Sequence, residues 1–341
     1  MRIEEDLKLD FNNVLIRPSP TELESRSLVN LKRTFNFKYS TQQISCVPIM
    51  AANMDTTGTL PVFNVLSKHS MVTCFNKFID TSEIKNFIRG KEDLFAFSIG
   101  FKEKELNDLI EISKIIDFKI ICIDIANGYI NSFVNFCQKV RKHFPDKIII
   151  AGNVVTPHMT QKLIVEGKVD IVKVGIGGGS ACTTRIKTGV GYPQLSCIIE
   201  CRKAARNVGG YIISDGGITC PGDLGKAFGG GADFVMIGGQ FAGHDENPGE
   251  IVQENGKLYK LFYGMSSSHA MEKNYGKVEK YRTSEGRCMK IPYKGELEGT
   301  VRDFLGGLRS TCTYVNCKNL EEMPALTTFI RVSSQFNSSL I

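Results

Sequence analysis

A cysteine in a glycine-rich, polar loop is the best candidate for covalent chemistry in this sequence. Cys182 stands in the run G-I-G-G-G-S-A-C-T-T-R at 175–185, where four of the first five residues are glycine. Glycine frees the backbone from its ordinary conformations, so main-chain carbonyls can converge on a cation or the loop can move. The nearby Arg185 favours a thiolate over a thiol. The pattern predicts a cysteine nucleophile, whereas packing is the ordinary reading for the other ten cysteines.

The sequence argues against two other kinds of cysteine chemistry. No His or Asp follows Cys182 at the spacing of a protease triad, and there is no C-x-x-C or H-E-x-x-H motif for a metal. We therefore expect the thiolate to attack a heterocycle or a carbonyl carbon.

Two pairs of glycines indicate a phosphate site. Gly216 and Gly217 follow Ser214-Asp215, and Gly238 and Gly239 follow Met236-Ile237. Paired glycines let main-chain N–H groups approach a phosphate, although one pair alone would suit a tight turn equally well. Asp215 beside such a cradle is expected to accept from a sugar hydroxyl.

The elements that must position these residues are eight short apolar runs rich in β-branched residues. Their continuous hydrophobicity is typical of parallel strands buried on both faces, and helix-period stretches at 82–90 and 157–167 separate some of them. The repeat predicts a (β/α)₈ TIM barrel. A doubly wound sheet is the rival, but no G-x-G-x-x-G follows the first strand. The predicted strands are 45–50, 71–75, 95–100, 120–126, 148–154, 171–175, 211–214 and 234–238.

Two connections are longer than the rest, one at 175–210 after the sixth strand and one at 239–295 after the eighth. Loops at the carboxyl ends of barrel strands carry the chemistry of this fold. We expect a catalytic loop in the first and a flap in the second.

Composition excludes several function classes. The net charge of +6 is spread over alternating Lys, Arg and acidic residues, so it gives no basic stripe for nucleic acid. Eleven scattered cysteines indicate reduced thiols, and no apolar run approaches the ~18 residues of a membrane span. A cytoplasmic protein with no membrane or nucleic-acid partner is expected.

The cysteine loop, together with K-T-G-V-G-Y-P-Q at 187–194, resembles the GMP reductase branch of the IMP dehydrogenase/GMP reductase family. The segment Y-R-T-S-E-G at 281–286, which contains Glu285, resembles the reductase branch. The Arg-Tyr dyad that ends the flap of IMP dehydrogenases is not identifiable in this sequence. The resemblance implies one barrel catalytic domain over 1–341, without an inserted regulatory (CBS-type) domain. Similar stretches occur at 10–15, 52–55, 124–128, 214–217, 263–267, 281–286 and 309–314.

This resemblance implies a reaction. GMP and NADPH would give IMP, ammonia and NADP⁺ in purine nucleotide salvage. Cys182 would add to purine C2 and form a thioimidate, while Thr184 and Glu285 would relay the proton that the departing ammonia needs.

The resemblance also implies ligand residues and a homotetramer, with Ser25, Arg26 and the 310–313 segment reaching across a subunit boundary. The implied NADPH residues are Ser25, Arg26, Lys77, Asp124, Ile125, Ala126, Ser310, Thr311, Cys312 and Thr313. Those for the nucleotide are Asp215, Gly216, Gly217, Gly238, Gly239, Gly264, Met265, Ser266, Arg282, Thr283, Ser284, Glu285 and Gly286. A monovalent cation, potassium, would lie at Gly177, Gly179, Cys182, Thr184 and Arg185, and an empty loop is the alternative.

The sequence departs from the family pattern at two places. Gly178 and Ala181 stand where Pro and Val are expected, and Asn76 and Phe78 flank Lys77 where relatives often carry His. Two other functions remain open. One is an FMN oxidoreductase of the same fold, which would bind phosphate through the same glycine pairs; the other is a nucleotide-binding scaffold without turnover.

Overall fold

Three short strands precede the barrel in the computed structural model, which describes residues 1–265, 267 and 286–333. They are β1 (Val14–Ile16), β2 (Arg33–Asn36) and β3 (Gln43–Cys46). The β2–β3 hairpin closes the amino-terminal end of the barrel, where the ring of Phe35 stacks on Phe234 with centroids 4.3 Å apart.

Eight parallel strands close into a barrel, so the predicted (β/α)₈ fold is confirmed. Seven of the eight predicted strands agree with the observed ones to within two residues at either end. The barrel strands are β4 (Ile49–Ala51), β5 (Val72–Phe75), β6 (Phe95–Ile99), β7 (Ile120–Asp124), β8 (Ile148–Val154), β9 (Ile171–Val174), β10 (Tyr211–Asp215) and β11 (Phe234–Ile237).

The prediction of one strand over 45–50 is wrong. The chain leaves β3 at Cys46 and enters β4 at Ile49, so two different sheets share this apolar run. Pro48 lies between them and has no N–H to donate to a ladder, although its carbonyl accepts from the Val235 N–H at 3.0 Å.

Helices cover the outside of the barrel. The predicted segment 82–90 forms a helix that ends at Ile88, before Gly90 with its left-handed φ of +75°, and the helix predicted at 157–167 ends at Val165. The helices are α1 (Leu60–Leu66), α2 (Thr81–Ile88), α3 (Glu103–Ser113), α4 (Asn131–His143), α5 (Pro157–Val165), α6 (Thr184–Thr188), α7 (Gln194–Asn207), α8 (Pro221–Gly229), α9 (Leu297–Tyr314) and α10 (Met323–Leu326).

Alternation along the strands decides which side chains reach the barrel axis. In β9, Val172 and Val174 pack in the layer between strands and helices, while Ile171 belongs to the apolar cluster inside the barrel. Lys173 therefore points inward at the carboxyl end. The same alternation places Asp124 at the end of β7 and Asp215 at the end of β10 on the inner side, where both line a pocket.

The two long connections lie at the carboxyl end as expected. The first carries α6, and the second forms a three-stranded antiparallel sheet that we call the flap sheet. Its strands are β12 (Val252–Glu254), β13 (Lys257–Tyr263) and β14 (Cys288–Pro292). After α9 and α10, β15 (Phe329–Arg331) pairs with β1. No helix in the described part of the chain is long and apolar enough to cross a membrane.

Candidate active site

A pocket of about 280 Å³ opens at the carboxyl ends of the barrel strands. Its walls come from the strand ends, the cysteine loop and the base of the flap sheet. The predicted site residues that line it are Asp124, Ile125, Ala126, Gly177, Gly179, Cys182, Thr184, Asp215, Gly216, Gly217, Gly238, Gly239, Gly264, Met265 and Gly286.

Cys182 presents its thiol to this pocket at the start of α6. The side chain is half-buried, and the thiol donates to the hydroxyl of Thr184 at 3.2 Å. The Cys182 N–H donates to the carbonyl of Gly179 at 3.0 Å, which closes a tight turn just before the nucleophile candidate. Among the described cysteines, the others are either fully buried or, at Cys220 and Cys288, exposed outside the pocket lining.

The flap sheet holds the cysteine loop through Arg287. The Arg287 main-chain N–H donates to the Ala181 carbonyl at 3.0 Å, and its guanidinium donates to the Ser180 carbonyl at 2.9 and 3.1 Å. Gly286 pairs with Cys182 as an isolated bridge. The position of the thiol therefore depends on the loop after the eighth strand as well as on its own loop.

Arg185 turns away from the pocket toward the amino-terminal segment. Its guanidinium donates to the Tyr192 carbonyl at 2.6 Å and to the Asp10 carboxylate at 3.4 Å. Its side-chain carbons lie where a Cβ on Gly177 would be, so this position requires glycine. The geometry gives Arg185 the role of tying the two ends of the cysteine loop together.

The glycine pairs bring two strand ends against the cysteine loop. Gly216 and Gly217 have φ values of +97° and +82°, and the Gly217 N–H donates to the Gly178 carbonyl at 2.9 Å. A Cβ on Gly239 would lie 2.3 Å from the hydroxyl oxygen of Ser180. The absence of side chains leaves main-chain groups facing the pocket, which is the arrangement that a phosphate needs.

A charge cluster around the buried Lys173 forms the floor of the pocket. The ammonium of Lys173 lies 2.5 Å from the Asp124 carboxylate and 3.3 Å from that of Asp215, and its side chain is 2% exposed. Asn53 donates to Asp124 at 2.9 Å, and Asn153 donates to Asp215 at 2.8 Å. Both carboxylates are thus held on two sides.

Electrostatics keep Lys173 and Asp124 ionised. Burial disfavours the charged ammonium, but Asp124 and Asp215 outweigh it and raise the pKa of Lys173 well above its usual value. Burial likewise favours the acid form of Asp124, but Lys173 and the Asn53 amide outweigh it and lower the pKa of that carboxyl. The pocket floor therefore presents two oriented carboxylates to a ligand.

Some predicted residues lie elsewhere. Lys77 pairs with Glu105 at 2.6 Å outside the pocket lining, and Ser25 and Arg26 lie on the outer layer beside α9. Ser310, Thr311, Cys312 and Thr313 lie on α9 itself, with Cys312 fully buried. Ser266, Arg282, Thr283, Ser284 and Glu285 are outside the described residues.

Comparison with known proteins decides the family. Residues 8–338 match the domain described as IMP dehydrogenase / GMP reductase. The chain belongs to the IMP dehydrogenase/GMP reductase family. The resemblance inferred from its motifs is therefore confirmed, and the family's members include oxidoreductases named GMP reductase.

Relatives in this family are similar over nearly the whole chain. A GMP reductase of Buchnera aphidicola subsp. Schizaphis graminum is 56% identical over 99% of this chain and 98% of its own length. GMP reductase 1 of Mus musculus and that of Homo sapiens are each 52% identical over 99% of both chains.

Sequence reasoning missed Lys173, Asn53 and Asn153 as pocket residues of this family member. The signal for Lys173 was present, since it is the one charged residue in the apolar strand I-V-K-V. A charge in a strand buried on both faces has to point to a polar site or a partner. Asn153 carried a weaker form of the same signal, as the one polar side chain in the strand Ile148–Val154, whereas Asn53 follows the end of β4 and carried none.

Proposed function

We propose that this chain is a GMP reductase that converts GMP and NADPH to IMP, ammonia and NADP⁺. The observation that carries the proposal is the thiol of Cys182, 3.2 Å from the Thr184 hydroxyl and inside a pocket that both glycine pairs line. Relatives that bear this name cover 99% of the chain. A purine nucleotide with its phosphate at the glycines would extend across this pocket toward the sulfur.

The chemistry begins at the sulfur. The Cys182 thiolate bonds to purine C2, and the C2 amino group leaves as ammonia after it gains a proton, which leaves a thioimidate on the enzyme. An amine departs poorly without a proton, so a relay is needed, and Thr184 is placed to pass one because its hydroxyl contacts the sulfur. Glu285, outside the described residues, is proposed as the source of that proton. NADPH, when bound, supplies the hydride that replaces the sulfur at C2.

The pocket residues suit a nucleotide. We assign Gly216, Gly217, Gly238 and Gly239 to the phosphate and Asp215 to a ribose hydroxyl, since a carboxylate accepts from hydroxyl donors and would repel a phosphate. Asn153 and Lys173 hold Asp215 in place for this contact. Gly264 and Met265 stand beside the expected position of the base, and Ser266 with the 282–286 segment completes this side in the proposal.

The cofactor would bind on the side of Asp124, Ile125 and Ala126, which line the same pocket. Ser25, Arg26 and the 310–313 segment of α9 do not line it. We therefore propose that a second copy of the chain supplies them within a homotetramer. Arg26 and Lys77 carry the positive charge that a 2′-phosphate requires, which favours NADPH over NADH.

The cysteine loop is suited to a monovalent cation. We propose potassium on main-chain carbonyls of Gly177, Gly179 and Cys182, with Thr184 and Arg185 beside it. The Gly179 carbonyl already accepts from the Cys182 N–H, but a carbonyl oxygen has a second lone pair for an ion. Arg185 could contribute only its carbonyl, because its guanidinium is positive and has no acceptor.

The test is an NADPH-oxidation assay with purified protein. We expect the NADPH absorbance to fall only when GMP is added, and IMP with NAD⁺ to give no reduced cofactor. NAD⁺ reduction by IMP would assign the chain to the dehydrogenase branch. A yellow, flavin-containing protein that ignores GMP would overturn the proposal in favour of the FMN alternative.

The proton relay has its own test. Glu285→Gln should slow ammonia release from GMP far more than hydride exchange between IMP and NADP⁺, because only the first step needs the proton. Equal slowing of both partial reactions would remove Glu285 from the relay.

A further inference from the structure

We propose that Lys173 is a positioning residue that holds Asp124 and Asp215 as two separate anions, and so couples the nucleotide side of the site to the cofactor side. The proposal rests on the proposed function, in which Asp215 contacts the ribose and Asp124 contacts the cofactor. Lys173 contacts both carboxylates from below and acts through them.

The placement of Lys173 follows from the barrel itself. In β9 the residues alternate between the helix layer and the axis, so Lys173 stands above Ile171 on the inner side. β9 pairs with β8 on one side and β10 on the other, and β7 lies beyond β8. An ammonium on β9 is therefore within reach of carboxylates at the ends of both β7 and β10.

The neighbouring strand leaves room for this side chain. A Cβ on Gly152 of β8 would lie 2.6 Å from the Cβ of Lys173 and 2.5 Å from its carbonyl oxygen. Glycine at this position therefore lets β9 and its lysine pack closely. The long side chain then extends past Gly152 to Asp124.

The charges around the cluster do not replace Lys173. Facing it are Asp124 and Cys122 from β7 and Asp215 from β10, with Cys74 of β5 against Cys122. Lys77 also acts on Asp124, but its ammonium pairs with Glu105 at 2.6 Å. Of the described groups, Lys173 is the cation that contacts both carboxylates directly.

Loss of the ammonium therefore has a definite electrostatic consequence. The Asp124 and Asp215 side chains are 35% and 24% exposed, so without Lys173 they would face each other across a partly enclosed pocket. The charge of Asp215, together with partial burial, would then favour the protonated form of Asp124. A protonated Asp124 presents a donor where the cofactor meets an acceptor in the native protein. The defect should be largest at low pH and should fade as rising pH removes that proton.

The experiment compares Lys173→Met with Lys173→Arg and with Lys260→Met. Lys260 is also a buried lysine, but its ammonium donates to the carbonyls of His244 and Asn247 and contacts no carboxylate in the described structure. For each variant, kcat/KM for GMP-dependent NADPH oxidation is measured from about pH 6 to about pH 8 and divided by the wild-type value at the same pH.

For Lys173→Met we expect this ratio to rise about tenfold between the two pH values. That is the change produced when Asp124 must lose a proton and half of it does so about one pH unit from either end of the range. Lys173→Arg keeps the positive charge and should give a flat ratio. Lys260→Met should lower the melting temperature and leave the ratio flat. A flat ratio for Lys173→Met would overturn the proposal, since a purely structural role lowers activity equally at every pH.

Two further measurements keep the result decisive. Should Lys173→Met fail to fold, Lys173→Gln, whose amide still fills the site, carries the same prediction. Should the wild-type protein not oxidise NADPH with GMP, the proposed function fails, and calorimetric titration with GMP and with NADPH at both pH values then tests Lys173 alone. Equal pH dependence of NADPH affinity in wild type and Lys173→Met would overturn it.

Discussion

Replacing Gly216 by alanine should damage both the stability and the nucleotide affinity of this protein. Gly216 has φ +97°, where an L-residue costs roughly 1–2 kcal/mol. The new Cβ would lie 3.1 Å from the carbonyl carbon of Gly178 and from the main-chain nitrogen of Gly179. Neither atom can rotate aside, so the cysteine loop has to move.

The first contact at risk is the hydrogen bond from the Gly217 N–H to the Gly178 carbonyl, 2.9 Å long. Such a bond contributes about 0.5–1.5 kcal/mol, so together with the backbone strain the free energy of unfolding should fall by roughly 2–3 kcal/mol. In the proposed function this turn also presents main-chain N–H groups to the phosphate, and misaligning one such N–H would cost about 1.5–3 kcal/mol. Since about 1.4 kcal/mol is a factor of ten, the Kd for GMP should rise about ten- to a hundredfold.

Gly90→Ala is the matched control. Gly90 has φ +75°, and nothing lies within 4 Å of a Cβ placed there. It should therefore lose about 1–2 kcal/mol of stability from backbone strain and keep wild-type GMP affinity. Urea unfolding and calorimetric titration measure the two quantities. Wild-type GMP affinity in Gly216→Ala, or an equal loss in Gly90→Ala, would refute the reasoning.

Other predictions concern the supports of the barrel and the loop. Asp170→Asn should cost about 3–5 kcal/mol in urea unfolding, because this buried carboxylate accepts from an arginine and three main-chain N–H groups; a loss under about 1 kcal/mol would contradict it. Arg287→Ala removes two hydrogen bonds to the Ser180 carbonyl, so it should lower kcat several-fold and leave the affinity for GMP unchanged. An unchanged kcat would show that catalysis does not depend on this contact of the flap sheet. Replacing potassium by lithium should slow turnover reversibly, whereas equal rates in both salts would remove the cation from the proposal. Hydrogen bonds from His69 and Arg302 lower the pKa of Glu298, so its contribution is present at neutral pH and is lost as pH falls through the lowered pKa. Glu298→Gln should reduce the loss of stability at acid pH by less than about 1 kcal/mol, since this ion pair lies at the surface and solvent screens it. An unchanged loss at acid pH would contradict this prediction.

Most of the barrel was predictable because parallel strands buried on both faces have an unmistakable composition. Runs such as Phe234–Ile237 are apolar at every position, and turn residues or helix-period segments separate them. The prediction of a single strand at 45–50 was wrong because two strands of different sheets follow each other there. Apolar character alone does not reveal that the chain changes sheets at Pro48.

The chemical centre was predictable for a topological reason. The carboxyl ends of all barrel strands meet at one face, so the cysteine loop and both glycine pairs had to converge wherever the strands were correctly placed. Lys173 was missed because it acts from within a strand, whereas the chemical groups of this fold are expected in the loops that follow the strands. The strand pattern alone would have pointed Asp124, Lys173 and Asp215 to the same axis.

The outer residues could not be placed from one chain. Arg26 and Thr311 lie in or beside the helix layer, and nothing in the local sequence says which surface meets a ligand. Their proposed role depends on a second copy of the chain. A contact between two copies produces no periodic pattern in the amino-acid sequence.

The most direct test of the account is to look for the bond to sulfur. Protein mixed with IMP and NADP⁺ is quenched in acid, digested and analysed by mass spectrometry, with Cys182→Ala treated in parallel. The account predicts a purine nucleotide on the peptide that contains Cys182, and none in the variant, which should still bind GMP. An unmodified peptide at every quench time, together with full turnover by Cys182→Ala, would contradict it.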